Sequence, residues 1–390
     1  MTLKALDDAD GKLIPRLAQT LWSWDVCVDC ALGRTCISQG CPSSRIFQLQ
    51  RYIQYYRAII ATYIEGYSGK KTLIETCEDL FVVISALKSN PDATLAELCQ
   101  LAFPTTDPTS VSAEQIDGLA LSVRVIFMID PSALHHSSHI LEIGAFREHW
   151  RSDVPFSKFI QDAFPIGHHH VLSYANSELF VNVKSELKAT HLKKRLGITI
   201  RATSDIRNHL HFNRRHNILE VYHYTGFLKE QLRATKDLDD CSSLSLSIKR
   251  GALPRQLVLE VLDSLQGVLF PLADPKSKRL LQSLVSSSSF DPDILKFEHS
   301  SIRRVGEENV SYTYFADRLS DLYNELQNPR PRGWLEQEME RKSGARHMMM
   351  ATLIGVVFAV LLGIASLAVS SYQAWIAYQA WQHPIAPPGQ

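Results

Sequence analysis

The chain has 390 residues, with 41 Lys and Arg against 41 Asp and Glu, so its formal net charge is zero. That balance excludes a global field able to gather nucleic acid or a highly charged substrate, and leaves polar targeting to local patches. Hydrophobic residues make up 45% of the chain, which excludes disorder as the main state, and seven cysteines, an odd number, argue against a disulfide framework.

The first residues carry Asp7, Asp8 and Asp10 and no apolar core of about 7–15 residues, so they do not read as a secretory signal. The mostly apolar run Leu17–Val28 then leads into Cys27-x2-Cys30-x5-Cys36-x4-Cys41. Four thiolates in 15 residues, with Gly33 and Gly40 letting the chain double back, are a ligand set for a tetrahedral zinc or an iron–sulfur cluster. The spacing is near that of a zinc knuckle, with x5-Cys in place of x4-His, and four protein ligands make such a site closed and structural. Trp22, Trp24 and Val26 run into the same segment, so the competing reading is four small reduced thiols packed as hydrophobes.

Pro42-Ser43-Ser44 predicts the start of a long helix, in which Ile46, Leu49, Ile53, Tyr56, Ile60, Tyr63 and Tyr67 form a stripe in three- and four-residue steps. Helices are predicted over 71–87, 93–102 and 113–129, the second opened by Asn90-Pro91-Asp92 and the third interrupted by Arg124. Pro131, Pro155 and Pro165 break the middle into loops with short helices at 137–150 and 156–164, and a helix follows at 177–196. The period then changes. Ile198–Ile200 alternates, and Leu210–Phe212 and Ile218–Tyr222 flank a turn, which predicts a small hairpin near 198–222 with room for a third strand. Helices are predicted again at 227–238, 254–270, 276–285 and 312–326, the last ended by Asn328-Pro329. The expected fold class is mainly α, a helical body with one small β-hairpin element and a single C-terminal transmembrane helix.

Three other constellations are weaker. His135, His136, His139, His149 and His168–His170 cluster, and His135 and His139 are one helical turn apart, with Glu142 near; HHSSH nevertheless lacks the Glu that follows the first His in zinc hydrolases. Glu65–Thr72 has a Gly-x2-Gly-Lys-Lys-Thr pattern two residues short of a phosphate loop, and no parallel strand precedes it. Lys184–Arg215 is locally basic, including Lys193, Lys194 and Arg195, a pattern that reads first as a solvated face, next as a surface for anionic headgroups, and last as a nucleic-acid site.

From Met348 onward there is no Asp, Glu, Lys or Arg, and Met348–Ser371 reads MMMATLIGVVFAVLLGIASLAVSS. At about 1.5 Å per helical residue this stretch crosses a hydrocarbon core of about 30 Å. Arg330, Arg332, Arg341, Lys342 and Arg346 precede it and no basic residue follows, which predicts a tail anchor with the bulk of the chain in the cytosol, at an intracellular membrane. Tyr372-Gln-Ala-Trp375 and Tyr378-Gln-Ala-Trp381 suit an interfacial belt. Ala351, Gly355, Ala359 and Gly363 share one helix face, a small-residue ladder along which spans pack, and so predict self-association or pairing with another span. The organisation expected is an N-terminal segment (1–45) with the cysteines, a helical body (46–329), a charged connector (330–347), the membrane helix (348–371) and an aromatic tail (372–390).

Tyr314–Pro329 with Pro331-Arg-Gly-Trp334, then Arg341–Arg346, Met349–Gly355 and Tyr378–Pro384, together with Thr203–Leu210, Leu219–Tyr222 and Phe227–Leu232, resembles an uncharacterised family of membrane-anchored proteins of filamentous fungi. The resemblance implies a fungal, membrane-anchored setting and transfers no catalytic residue. The function expected is a non-enzymatic interaction or scaffold protein, with the lipid bilayer and unidentified proteins as partners. The alternative is a membrane-bound accessory enzyme or metal-dependent factor in a fungal specialised pathway, with the histidines and cysteines as its ligands.

Overall fold

The chain enters its core through an amphipathic helix, α1 (Leu13–Trp22), which buries Leu13, Leu17, Leu21 and Trp22. The computed structural model describes residues 12–32, 34, 36, 40–67, 72–104, 111–131, 149–167, 178–238, 243–298, 301–329 and 346–382. A single turn, α2 (Val28–Ala31), follows, and a 3-10 helix over Pro42–Leu49 passes into α3 (Gln50–Gly66). The long helix expected from Pro42 is thus two helical types in series, the tighter 3-10 turns being a common form for a helix start. Leu49, Ile53, Tyr56 and Ile60 of the predicted stripe are buried, while Tyr63 and Tyr67 are half-buried.

Capping boxes set the next three starts. Thr76 and Asp79 exchange side-chain and backbone bonds to open α4 (Cys77–Ser89), Thr94 and Glu97 open α5 (Leu95–Ala102), and Ser112 and Gln115 open α6 (Ala113–Phe127). Each satisfies donors that a helix N-terminus leaves unpaired, and this is why α4 begins at Cys77 and not near Lys71 as expected. Next come α7 (Phe156–Ala163), α8 (Glu178–Glu186) and α9 (Ala189–Leu196). The single helix expected over 177–196 is broken because Lys188 is extended, a change of direction that lets Leu187, Ala189, Leu192 and Leu196 all face the interior.

Strands β1 (Thr199–Thr203), β2 (His211–Asn213) and β3 (Ile218–Tyr222) form one sheet in the order β1-β3-β2. β2 and β3 make the expected antiparallel hairpin, whereas β1 joins β3 in parallel, with Arg201 opposite Glu220 and bonded to it at 2.8 Å. Then α10 (Thr225–Ala234), α11 (Leu244–Lys249) and α12 (Arg255–Asp263) follow, α12 continuing as a π-helical segment over Ser264–Leu269. α13 (Pro275–Ser286) and α14 (Ala316–Gln327) complete Met1–Pro329, one of two compact units. Its core centres on α10 and α12, where Tyr52 stacks on Phe227 at 4.8 Å between ring centroids and Trp22 meets the same ring edge-on at 5.7 Å.

The second unit, Arg330–Gln390, contains α15 (Arg346–Gln382), 37 residues long. Its stretch Thr352–Gln382 is long and apolar enough to cross a membrane. The helix does not stop at Ser371. It runs unbroken through both aromatic repeats, so its length of about 55 Å exceeds a hydrocarbon core of about 30 Å and carries Tyr372, Trp375, Tyr378 and Trp381 into an interface. Within that stretch Tyr372 and Trp375 stack at 6.2 Å, and Gln382 Nε2 donates to Tyr378 Oη at 2.6 Å.

Candidate metal centre

Cys27 precedes the first residue of α2 and Cys30 lies within that turn, so both are carried by one helical turn. The Ala31 N–H donates to the Cys27 carbonyl at 3.0 Å and the Arg34 N–H to the Asp29 carbonyl at 2.8 Å, curling the chain back. Gly40 has φ +100°, a conformation that favours glycine, and turns the chain into Cys41. Cys41 in turn is extended before Pro42, and Ser44 donates to the Cys41 carbonyl from both its N–H (3.2 Å) and its Oγ (3.0 Å).

These turns bring all four sulfurs within 4.8 Å of one another, with Cys27 and Cys36 3.8 Å apart and Cys30 and Cys41 3.9 Å apart. None is in a disulfide. Cys30 and Cys41 are buried, Cys27 half-buried and Cys36 exposed. The thiols share protons unequally. Burial raises Cys41, but the Cys27 backbone and the Ser43 hydroxyl and N–H outweigh it and bring the group down to about 6. At Cys30 the nearby Ser43 hydroxyl lowers the value, while burial and the three neighbouring thiols together outweigh it and raise the group to about 12. Four soft donors this close can chelate one metal ion.

The ends of the cysteine segment converge on one residue of α10. Glu230, buried at 1% side-chain exposure, accepts from Trp24 Nε1 at 3.0 Å and from Arg45 at 2.9 and 3.1 Å. Arg45 also lies over the Trp24 ring, 5.0 Å from its centroid. Arg233 donates to Glu230 and to Glu298, and Gln48 donates to Glu298 at 2.9 Å. On the other side of α1, the buried Lys88 donates to the carbonyls of Thr20 and Leu21 at 2.6 and 2.7 Å; desolvation, then Arg250, brings its ammonium down to about 8.

The remaining candidates fare differently. His135, His136, His139, Glu142 and His168–His170 lie outside the described residues, as do Ser68–Lys71, and His149 is exposed. Part of the basic stretch is paired within the fold, Lys184 with Asp263 (2.7 Å), Arg195 with Glu186 (3.2 Å), Arg207 with Asp205 (2.7 Å) and Arg214 with Glu325 (3.7 Å), while Lys193 and Lys194 are exposed. In α15, a Cβ added at Gly355 or Gly363 meets nothing within 4 Å, so the helix face bearing them is open.

Sequence reasoning missed the buried polar groups. Glu260 accepts from the N–H groups of Thr313 (2.7 Å), Tyr314 and Phe315 (both 2.9 Å) and from the Thr313 hydroxyl (2.9 Å), which is why α14 begins at Ala316 and not at Tyr312. His209 accepts the Tyr222 N–H at Nδ1 (3.2 Å), so Nε2 carries the proton and donates to Ser264 Oγ at 2.7 Å. Lys229, wholly buried, pairs with Asp293 at 2.7 Å. A cleft of about 340 Å³ beside α7 and α12 is lined by Phe164, Ile166, Leu259 and Tyr314, with Arg255 and Glu307 paired at its wall. No protein-family model, curated protein or solved structure matches the chain.

Proposed function

We propose that this is a membrane-anchored interaction protein, held to an intracellular membrane by α15 with its helical body on the cytosolic side, where it recruits or organises partners without catalysing a reaction. The observation that carries the reading is Thr352–Gln382, a continuous apolar helix with basic residues on one side of it. The interaction role draws on two further features. The buried ionisable groups Glu230, Glu260, His209 and Lys229 are each engaged in holding elements together, and the body exposes apolar contact surface at Val28, Leu32, Phe47 and Phe297. The resemblance to the fungal family adds a filamentous fungus as the setting, and the ladder Ala351, Gly355, Ala359 and Gly363 adds pairing of the helix with a second span.

Alkaline carbonate extraction of cells making the full chain tests the anchor. The chain stays in the membrane pellet, and removal of 346–382 moves it to the supernatant; a full-length chain released by carbonate would overturn the reading. Proximity labelling from the body then tests the interaction role. It is expected to mark a reproducible set of membrane neighbours that is lost when the body is replaced by an inert domain on the same anchor. An unchanged set would refute recruitment by the body.

A further inference from the structure

We propose that Cys27, Cys30, Cys36 and Cys41 bind a single zinc ion as a closed tetrathiolate site, and that this ion acts with Glu230 to fasten the N-terminal segment to the helical body. The first argument is the size of the sulfur cage. A tetrahedron with metal–sulfur bonds of about 2.3 Å has sulfur–sulfur edges of about 3.8 Å. Two opposite edges, Cys27–Cys36 and Cys30–Cys41, are 3.8 and 3.9 Å, and the other four lie within 4.8 Å. An iron–sulfur cluster spreads its four cysteines over two or four irons around a core of several atoms, which holds the set of four sulfurs farther apart than a mononuclear ion does. The cage fits one ion.

The second argument is what the segment lacks. Among the described residues from Asp25 to Cys41, only Cys30 and Cys41 are buried; Val26, at the base, is half-buried against the core of the body, while Val28 and Leu32 are exposed at 74% and 48%. A stretch this short, whose fully buried side chains among the described residues are two cysteines, has little hydrophobic interior of its own and needs a cross-link to hold one conformation. The sulfur cluster is the interior that the backbone turns have built. Four ligands from the chain fill the tetrahedron, leaving no open position for water or substrate, so the ion is structural.

The third argument is placement. Trp24 lies three residues before the first ligand and Arg45 four residues after the last, and both donate to Glu230. The loop is therefore closed twice, at its tip by the metal and at its base by a buried carboxylate. Loss of the metal leaves the base intact and frees the tip. The inference does not depend on which side of a membrane the body occupies, provided the thiols are reduced.

The test uses the full chain purified in detergent under reducing conditions, without chelator, from zinc-supplied cells. Elemental analysis is expected to give one zinc per chain, and titration with an organomercurial to release it as four thiols react. Replacement by cobalt(II) should give the visible absorption of a tetrahedral thiolate site. Cys36→Ser, at the exposed ligand, should lose zinc to a chelator at least about tenfold faster, and protease should then cut between 27 and 41 while the body stays intact. Zinc well below one per chain with no cobalt uptake, iron with acid-labile sulfide, or unchanged zinc retention in both Cys36→Ser and Cys27→Ser would overturn the metal assignment. Zinc loss without any change in cleavage of the segment would overturn the fastening role.

Discussion

Arg45 lies over the indole of Trp24, its guanidinium 5.0 Å from the ring centroid, and both side chains donate to the Glu230 carboxylate, meeting at its Oε2. Two residues separated by the whole cysteine segment are thus joined through a third that lies far along the chain. The arrangement ties the entry of the chain to α10, the helix at the centre of the core.

Removing that carboxylate leaves the guanidinium groups of Arg45 and Arg233 and the Trp24 N–H without their shared acceptor. Glu230→Ala is expected to cost about 3–5 kcal/mol of unfolding free energy, as for breaking a buried pair from one side. Glu230→Gln keeps an acceptor and should cost less. Denaturant unfolding of the full chain in detergent measures both, and equal stabilities of Glu230→Ala and the parent chain would count against the clamp.

Two glycines mark where backbones touch. A Cβ at Gly226 would lie 2.0 Å from the Gln48 carbonyl oxygen, and one at Gly251, where φ is +71°, would lie 2.0 Å from the Leu21 carbonyl oxygen. Gly226→Ala and Gly251→Ala should each destabilise by about 1–3 kcal/mol through overpacking, more at Gly251 because of its backbone conformation. Gly40→Ala, with nothing within 4 Å of its Cβ, meets only the conformational penalty and should cost less. Thermal unfolding of the three variants ranks them; Gly40→Ala as the most damaging would contradict the packing.

Acid should weaken the fold. Burial, with Arg318 adding to it, holds His209 well below the ordinary imidazole value, and burial with Arg51 brings His223 down to about 3. Below about pH 6.5 the unfolded chain takes up protons at both histidines that the folded chain refuses, so their contribution is complete above that pH and is lost as it falls. Asp291 acts in the opposite sense: burial raises it to about 6, against the opposing N–H bonds from Asp293 and Gly226, so the folded state gains a proton before the unfolded state does. Among these three groups two histidines outweigh one aspartate, so they lose stability as the pH falls towards 5, and Asp291→Asn should steepen that loss. Urea midpoints between pH 7 and pH 5 check this, and a flat profile for Asp291→Asn would contradict it.

The membrane helix and the cysteine spacing were legible because each is a local pattern: an unbroken apolar run, and four like residues in one short segment. Most helices of the body were legible for the same reason, since the apolar periodicity and the start signals Asn90-Pro91-Asp92 and the loop ending at Ser112 are local, although the structure places the first of those starts at a Thr94–Glu97 capping box instead. The parallel pairing of β1 with β3 was not, because its partners Thr199 and Ile218 are brought together across an intervening strand. Nor was the break at Lys188, which answers to which leucines must face inward. Glu230, Glu260 and His209 carry no periodicity and no motif. A lone buried Glu reads in sequence like any surface Glu, and only the fold shows which donors surround it.

The central claim is that one apolar helix, α15, crosses a membrane with the body on its cytosolic side, and Asn309-Val310-Ser311 tests it directly. Asn309 is exposed on the body, so a glycosylation machinery on the same side would reach it. In carbonate-washed membranes from eukaryotic cells making the full chain, the account predicts that the protein is in the pellet and that glycosidase leaves its mobility unchanged. A mobility shift that disappears in Asn309→Gln would contradict it.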